Sequence, residues 1–346
     1  MQKKIDLKPN DHILISRTDR LGDLILALPF VETIKARYPE CRVDVLSSLY
    51  ASPILENNPS IDRIVRVQND QLMIDKLYKK DLLHRIRLGE YRVVVALYPE
   101  RRISQLFYKA GISARIGTAG RFHSVFFNQH LFHSRRTNKR HEYEYNLDFL
   151  EFFRDGKIAR TPHVFLKEKE LSNAQRILRK VGVDGSFVVL HPGSGGSAEG
   201  WSPERFLRLY RQLRERGVEV AISGSEREGG QIRKMAHQMN LDLRDISGET
   251  DLRTLAAVLS LAEVVVANST GPLHLATAVG TRVVGLYSGR KVMSPQRWGP
   301  VGNQHRVIQP PNPDCQCPPR RCRCMETISI ERVADEVISS LESYGT

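Results

Sequence analysis

The sequence predicts an α/β protein with two Rossmann-like domains, each built on a parallel sheet. Short apolar runs such as residues 93–97 (VVVAL) and 264–266 (VVV) are typical of buried strands. They alternate with longer amphipathic segments, as expected for parallel strands joined by helices. The 346 residues exceed what one ordinary core accommodates, so two domains are expected.

The first domain is expected to span residues 1–154. An apolar run at 12–16 predicts its first strand, and apolar positions 24, 25, 28, 31 and 34 predict a helix over 24–36. Further strands are predicted at 42–47, 61–67, 93–97 and, as a candidate edge strand, 114–117, and further helices at 71–88 and 141–153.

A polar stretch containing Gly and Pro, residues 154–162, indicates a boundary, so we assign a linker at 155–165 and a second domain at 166–328. Its predicted helices lie at 172–181, 203–216, 227–238, 252–261 and 273–279, and its strands at 187–190, 219–223, 264–266 and 282–287. The closing segment, 329–346, contains an amphipathic helix that is a candidate to pack back on the first domain.

The formal net charge of +13 favours anionic partners such as nucleic acid, an acidic membrane surface or a phosphorylated substrate. We do not expect nucleic acid, since the sequence carries no zinc-finger or RNA-recognition signature.

No apolar run approaches the ~18 residues of a membrane helix. Residues 1–11 lack the apolar core of a signal peptide, so a cytoplasmic location is expected.

Residues 267–276 (ANSTGPLHLA) follow a predicted strand and open a predicted helix. The N–H groups of such a helix terminus attract anions, so Thr270, Gly271 and the following amides are candidates to hold a phosphate, with His274 one turn inside. The alternative is a structural turn capped by Ser269 or Thr270.

A second candidate site lies in the loop at 17–23 (RTDRLGD). Gly22 allows close approach of a ligand, and a helix terminus favours the ionised form of Asp23, which would then accept a proton from an attacking hydroxyl. The alternative is a simple N-cap. Arg17 and Arg20 either attract an anionic acceptor or are simply solvated.

The predicted strand at 187–190 runs into a glycine-rich loop, 191–197 (HPGSGGS), a further candidate for nucleotide or phosphate contact. The contacts expected there are His191, Gly193 and Ser194. Glu226, after the next strand, is a candidate for ribose hydroxyls, with a helix-start carboxylate as the alternative.

The basic run at 135–140 (RRTNKR) is either a solvated loop or a site for phosphate or carboxylate groups. Its candidate acceptor contacts are Arg136, Lys139 and Arg140.

Four cysteines stand within ten residues, at Cys315, Cys317, Cys322 and Cys324. Neighbouring cations favour thiolates, and four thiolates suit tetrahedral zinc, although CxC pairs are tighter than the usual CxxC spacing. Reduced thiols and a redox-sensitive disulfide remain the alternatives.

Taken together, four blocks resemble glycosyltransferase family 9, the lipopolysaccharide heptosyltransferase family. They occur in family order over nearly the whole chain, at 17–29 (RTDRLGDLILALP), 141–150 (HEYEYNLDFL), 191–206 (HPGSGGSAEGWSPERF) and 268–276 (NSTGPLHLA), followed by 322–328 (CRCMETI). Two positions depart from the family pattern: Ser269 replaces an acidic residue, and Glu199-Gly200 precede Trp201 where a basic residue is common.

The resemblance implies a GT-B fold, with two Rossmann-like domains facing a central cleft, the acceptor bound by the first and the nucleotide-sugar donor by the second. It also implies inversion at the anomeric centre without a catalytic metal. Asp23 falls at the family's proposed base, the phosphate-binding turn at Thr270, Gly271 and His274, and the acidic ribose contact at Glu226.

The expected function is therefore transfer of a sugar, heptose from ADP-heptose, to a phosphorylated lipid-linked saccharide of the lipopolysaccharide core or a related glycan. Contact with the anionic inner face of the cytoplasmic membrane is expected from the charge. The alternatives are another GT-B nucleotide-sugar enzyme, with a different donor or an epimerase activity, and a basic, metal-clipped binding protein.

Overall fold

The computed structural model describes residues 4–120, 122–135, 138–193, 200–302, 304–312, 315 and 323–342. The chain divides into two compact units, Met1–Phe165 and Leu166–Thr346. The division follows residue 165, at the end of the segment assigned from sequence as a linker.

The first unit is built on a parallel sheet of six strands in the order β3-β2-β1-β4-β5-β6. The strands are β1 (His12–Arg17), β2 (Arg42–Ser48), β3 (Arg63–Val67), β4 (Val93–Ala96), β5 (Ala114–Thr118) and β6 (Gln129–Leu131). The helices are α1 (Leu21–Ile25), α2 (Leu28–Arg37), α3 (Asn69–Ile74), α4 (Lys76–Arg87), α5 (Arg101–Lys109) and α6 (Glu142–Leu147). This strand order reverses direction between β1 and β4, the position where Rossmann-type sheets bind ligands.

Three predicted helices of this unit are each divided. The segment 24–36 breaks between α1 and α2 because Pro29, in the first turn of α2, has no N–H to continue the preceding helix. The segment 71–88 breaks at Asp75, whose carboxylate accepts from Leu77 N and Tyr78 N and so starts α4. The segment 141–153 changes from α6 to a 3₁₀ helix, Asp148–Phe152.

The sheet extends further than the sequence predicted. The predicted edge strand at 114–117 is β5, but it is an inner strand, because β6 pairs alongside it. Strand β6 has three residues, too few for an alternating pattern to be recognised.

The second unit is built on a parallel sheet of five strands in the order β11-β10-β9-β7-β8. The strands are β7 (Val188–His191), β8 (Val220–Ile222), β9 (Val264–Asn268), β10 (Arg282–Leu286) and β11 (Arg306–Ile308). The helices are α7 (Glu168–Lys180), α8 (Pro203–Glu215), α9 (Glu226–Gln238), α10 (Leu252–Leu261), α11 (Gly271–Ala278), α12 (Pro295–Trp298) and α13 (Ile330–Glu342). The strand order reverses between β7 and β9, which defines a second expected ligand position.

The last helix, α13, packs in the second unit. Its apolar residues Val333, Ala334 and Val337 are buried in the core of the second unit, with α8 and the strands β9 and β10 as neighbours. The 3-to-4-residue spacing of these side chains puts them on one helix face, and that face is covered within the second unit. No helix among the described residues has the length and apolarity required to cross a bilayer.

Candidate active site

Asp23 lies just beyond the carboxyl end of β1, in the first turn of α1. It does not cap that helix: Arg20 is the N-cap residue, and the Asp23 carboxylate accepts from Nη2 of Arg17 at 2.5 Å. The Asp23 side chain is 14% exposed. The N-cap alternative is therefore wrong, and the carboxylate lies at the sheet's reversal point with part of its surface open.

Arg17 is the residue around which this site is built. Its side chain is 1% exposed, and beyond Asp23 it donates from Nε to Asp19 at 2.7 Å. Its Nη1 donates to Glu142 at 3.2 Å and to Asn146 at 3.0 Å, both on α6. Because protein groups occupy all its nitrogens and solvent does not reach it, direct acceptor binding by Arg17 is wrong.

Burial raises the pKa of Asp23 from its ordinary value to about 6, against the opposing effect of the Arg17 charge. The neighbouring carboxylates of Asp19 and Glu142 raise this pKa further. We had expected the helix terminus to hold the carboxyl well ionised. The effect of desolvation on the pKa of Asp23 is the larger one. Asp23 is therefore a stronger base than an ordinary carboxylate and is still mostly ionised at pH 7.

The remaining residues predicted to bind an acceptor differ in their surroundings. Gly22 is buried within α1, while Arg20 and Lys139 are exposed. Arg140 donates to both oxygens of Asp148, at 2.7 and 3.0 Å, so part of its charge is used locally. Arg136 lies outside the described residues.

In the second unit, Asn268 at the end of β9 connects two segments of the site. Its Oδ1 accepts from Trp201 N at 2.8 Å, and its Nδ2 donates to the carbonyl of Pro192 at 3.1 Å. A Cβ on Gly200 would stand 2.6 Å from the side-chain nitrogen of Asn268, so only glycine allows these two residues to approach so closely. Asn268 thus holds the loop after β7 and the start of α8 together at the sheet's reversal point.

The turn after β9 leads into the N-terminus of α11, where the sequence predicts a phosphate site. Thr270 is the N-cap residue of α11, but its hydroxyl donates to the Asn268 carbonyl at 3.2 Å and makes no capping bond. The Ser269 hydroxyl is hydrogen-bonded with buried Tyr287. The capping alternative therefore fails for Thr270, and Gly271 starts the helix with its surface partly exposed. His274 is buried one turn inside.

His191, at the end of β7, is kept neutral by burial, which lowers its pKa from 6.5 to about 4. Its Nδ1 is hydrogen-bonded with Ser223 Oγ at 2.9 Å, after β8. Gly193, two residues further on, has no room for a side chain: a Cβ there would meet the carboxylate of Glu228 at 2.6 Å. Ser194 lies outside the described residues.

Glu226 and Glu228 both lie in the first turn of α9. Glu226 is 80% exposed and within 3.5 Å of Arg233. Glu228 turns back and accepts from Ser225 N and Oγ, which places it beside Gly193. Glu228 is not predicted as a site residue from the sequence, although its position three residues after Ser225 is the capping-box spacing.

Two further hydroxyls in this unit were also missed. Ser247 Oγ and Ser288 Oγ are buried and have no hydrogen-bond partner within the described parts of the chain. Ser288 follows β10, and Ser247 Oγ would lie 3.2 Å from a Cβ on Gly224, next to the end of β8. Buried hydroxyls without partners are costly unless a ligand or water binds them.

Trp201 packs in the core of the second unit: it is 1% exposed and donates from Nε1 to the carbonyl of Ile328. Cys315 and Cys324 both bond to Gly289, the first through its backbone N–H and the second by accepting at Sγ. Cys317 and Cys322 lie outside the described residues, and the part of the chain that is described contains no cluster of three or more metal-binding side chains.

Comparison with known proteins identifies the family of this chain. The profile of glycosyltransferase family 9 (heptosyltransferase) matches residues 80–327. A Haemophilus influenzae protein, whose name gives glycosyltransferase as an unconfirmed activity, is 27% identical over 94% of this chain and 96% of its own length.

Two solved structures are similar in fold. The glycosyl transferase family 9 protein from Veillonella parvula superimposes with a TM-score of 0.83 at 20% identity, covering 97% of this chain and 99% of that one. The E. coli ADP-heptose lps heptosyltransferase II superimposes with a TM-score of 0.78 at 20% identity, covering 97% of this chain and 100% of that one.

Two Rossmann-like α/β units, each on a parallel sheet, give the fold of GT-B-type glycosyltransferases. The chain belongs to glycosyltransferase family 9 (heptosyltransferase).

Proposed function

We propose that this glycosyltransferase moves heptose from ADP-heptose to a hydroxyl of a phosphorylated, lipid-linked saccharide of the lipopolysaccharide core, with inversion. The observation that carries the proposal is the partly open Asp23 carboxylate, whose pKa burial raises to about 6, at the reversal point of the first sheet. The name of the similar E. coli structure supports the choice of donor and acceptor.

In the proposed reaction, the acceptor oxygen attacks the anomeric carbon while the bond from that carbon to the diphosphate oxygen breaks. Asp23 takes the acceptor's proton, and ADP leaves with the electron pair of the broken bond. The N-terminus of α11 stabilises the charge that develops on the leaving diphosphate, with Thr270 and Gly271 nearest to it. No metal is required in this proposal.

The proposed donor contacts gather at the carboxyl ends of the second sheet. The contacts that we assign to the nucleotide are His191, Gly193 and Ser194. Ser269 and His274 would contact the diphosphate, and Glu226 would bind the ribose. The buried hydroxyls of Ser247 and Ser288 support a polar ligand there, because such a ligand would supply the partners that the described residues do not. Arg20, Arg136, Lys139 and Arg140 are the proposed contacts for acceptor phosphates.

Membrane contact belongs to the same proposal, with a cytoplasmic location. Met73, Ile74 and Leu77 are exposed at the junction of α3 and α4, beside the lysines at 76, 79 and 80. Asn69 Nδ2 donates to the Thr18 carbonyl at 2.8 Å, which attaches this segment to the loop before Asp23. Exposed apolar side chains among lysines suit an anionic lipid surface.

We also propose that the four cysteines hold a structural zinc ion. The backbone N–H of Cys315 and the Sγ of Cys324 both contact Gly289, so this glycine joins two of the four cysteines. Zinc content of the purified protein tests this, with one equivalent expected for the wild type and loss in a Cys315→Ser, Cys324→Ser double variant. A wild-type protein free of zinc after expression in zinc-supplemented medium would contradict it.

The main proposal is tested with a panel of nucleotide sugars. ADP-heptose is expected to raise the melting temperature more than UDP- or GDP-sugars do. With an acceptor saccharide that lacks the transferred heptose, mass spectrometry is expected to show the addition of one heptose. Stabilisation by a different donor would overturn the ADP-heptose assignment. Conversion of donor without acceptor would instead identify an epimerase.

A further inference from the structure

The base proposed above is held by a buried network that extends to α6. Three carboxylates, from Asp19, Asp23 and Glu142, surround the guanidinium of Arg17. The side chains of Arg17 and Glu142 are each 1% exposed, so water screens their interaction little. A buried network of this kind acts on its members more strongly than a surface ion pair does.

Asn146 fixes this network to the helix that carries Asp23. Its Oδ1 accepts from Arg17 Nη1 at 3.0 Å, and its Nδ2 donates to the carbonyl of Leu26 at 3.0 Å. Leu26 is the C-cap residue of α1. The amide of Asn146 therefore spans from the C-terminus of α1 to the guanidinium that contacts Asp23.

A second arginine completes the network on the far side of Glu142. Arg135 Nε lies 3.2 Å from Glu142 Oε1, and its Nη2 donates to Asn146 Oδ1 and to the Leu97 carbonyl. Within the described part of the chain, Arg17 and Arg135 thus lie among the carboxylates of Asp19, Asp23 and Glu142.

We propose that Glu142 and Asn146 are positioning residues for the transfer reaction: they hold Arg17, and Arg17 orients the carboxylate of Asp23 toward the acceptor hydroxyl. This inference rests on the proposed role of Asp23 as the base. The charged and titratable groups that face Asp23 or Arg17 are Asp19 from the loop, Glu142 from α6, and Tyr98, whose ring centroid is 5.4 Å from the Arg17 guanidinium carbon.

The charges predict opposite effects for two substitutions. Glu142→Gln removes a negative charge that raises the pKa of Asp23, so the acid limb of kcat/KM should move to lower pH, on the order of one unit. Arg17→Lys keeps the charge but loses the planar fork that reaches several partners. With the ammonium no longer held against Asp23, the acid limb should move to higher pH and kcat should fall more than KM changes.

Glu144→Gln is the matched control. Glu144 lies on the same helix and its carboxylate accepts from His141 N, away from Arg17. It removes one negative charge from α6 without touching the network. The pH profile of this variant should coincide with the wild type.

The closing measurement is the titration of Asp23 itself, by NMR of protein labelled with ¹³C at the aspartate carboxyl carbons and assigned with Asp23→Asn. The Asp23 midpoint should fall in Glu142→Gln, rise in Arg17→Lys and stay unchanged in Glu144→Gln. Identical midpoints in all folded variants, with intact near-UV circular dichroism, would overturn the inference. Full turnover by Asp23→Asn would instead refute Asp23 as the base, a failure of the proposed function that this titration separates from failure of the network.

Discussion

The guanidinium of Arg17 donates to the carboxylate of Asp23 at 2.5 Å, and solvent reaches only the second of these two side chains appreciably. A buried cation behind a partly open carboxylate keeps the carboxylate in place without neutralising it by proton transfer. This arrangement lets a strongly desolvated group remain ionised at neutral pH, which a general base requires.

Substitution of Asp23 by Asn should reduce kcat by at least about a thousandfold, because the amide cannot accept the acceptor's proton. Donor binding, which we assign to the second unit, should be unaffected, as measured by the thermal shift with ADP-heptose. In the wild type, activity should fall about tenfold per pH unit below the pKa of about 6, since protonation removes the base. A flat profile between pH 5 and 7 would contradict this assignment.

His191 should make the fold sensitive to acid. Its pKa is about 4 in the folded protein against 6.5 as the ordinary value, so the unfolded state binds the proton more readily. Above pH 6.5 this group does not change the free energy of unfolding. As the pH falls from 6.5 toward 4, the free energy of unfolding decreases by about 3 kcal/mol. Urea unfolding across this range should show a smaller loss for His191→Gln than for the wild type, and equal losses would exclude this role.

Gly200→Ala should disturb the site through Asn268. The new Cβ would stand 2.6 Å from the Asn268 amide, so a segment must shift, at a cost of about 1–3 kcal/mol. We expect lower stability and a weaker thermal shift with donor. The control is Gly230→Ala in α9, where a Cβ meets nothing within 4 Å and helix propensity predicts a gain of up to about 1 kcal/mol. Equal behaviour of the two variants would show that the close approach is unimportant.

Acidic substitution of the α3–α4 junction should weaken membrane contact. Ile74→Asp with Leu77→Asp replaces two side chains that are 84% and 75% exposed, and sedimentation with anionic vesicles should fall several-fold. Leu88→Asp adds one carboxylate and is the matched control for each single substitution, because Leu88 is 63% exposed at the opposite end of α4. Neither variant should bind neutral vesicles. Equal loss in both would indicate a general charge effect rather than a docking segment.

The local pattern of the sequence predicted most of the elements that carry the site. Strands β1, β4, β7 and β9 are continuous apolar runs, and Asp23 and the turn at Thr270 follow two of them directly. Helix α5 and strands β6 and β11 were missed. The two strands have three residues each, and their pairing with neighbouring strands, not their own pattern, makes them part of a sheet.

The roles of charged side chains were harder to predict. Arg17 was predicted to bind an acceptor, and Glu142 was not predicted as a site residue. The two side chains are in contact, but they lie 125 positions apart in the sequence. Likewise, Glu226 and Glu228 both begin α9, and only the folded chain shows that Glu228 lies against Gly193. Sequence spacing describes neighbours along one element and contains no distance between elements.

By itself, the sequence determined the alternation of strands and helices, the family, and the positions of the two turns that follow β1 and β9, because these depend on local periodicity and short motifs. Only the tertiary structure decided which charges are buried together. Burial changes the proton affinity of a group such as Asp23 by removing water, and the amount of water removed depends on residues from distant parts of the chain, Glu142 and Asn146 among them.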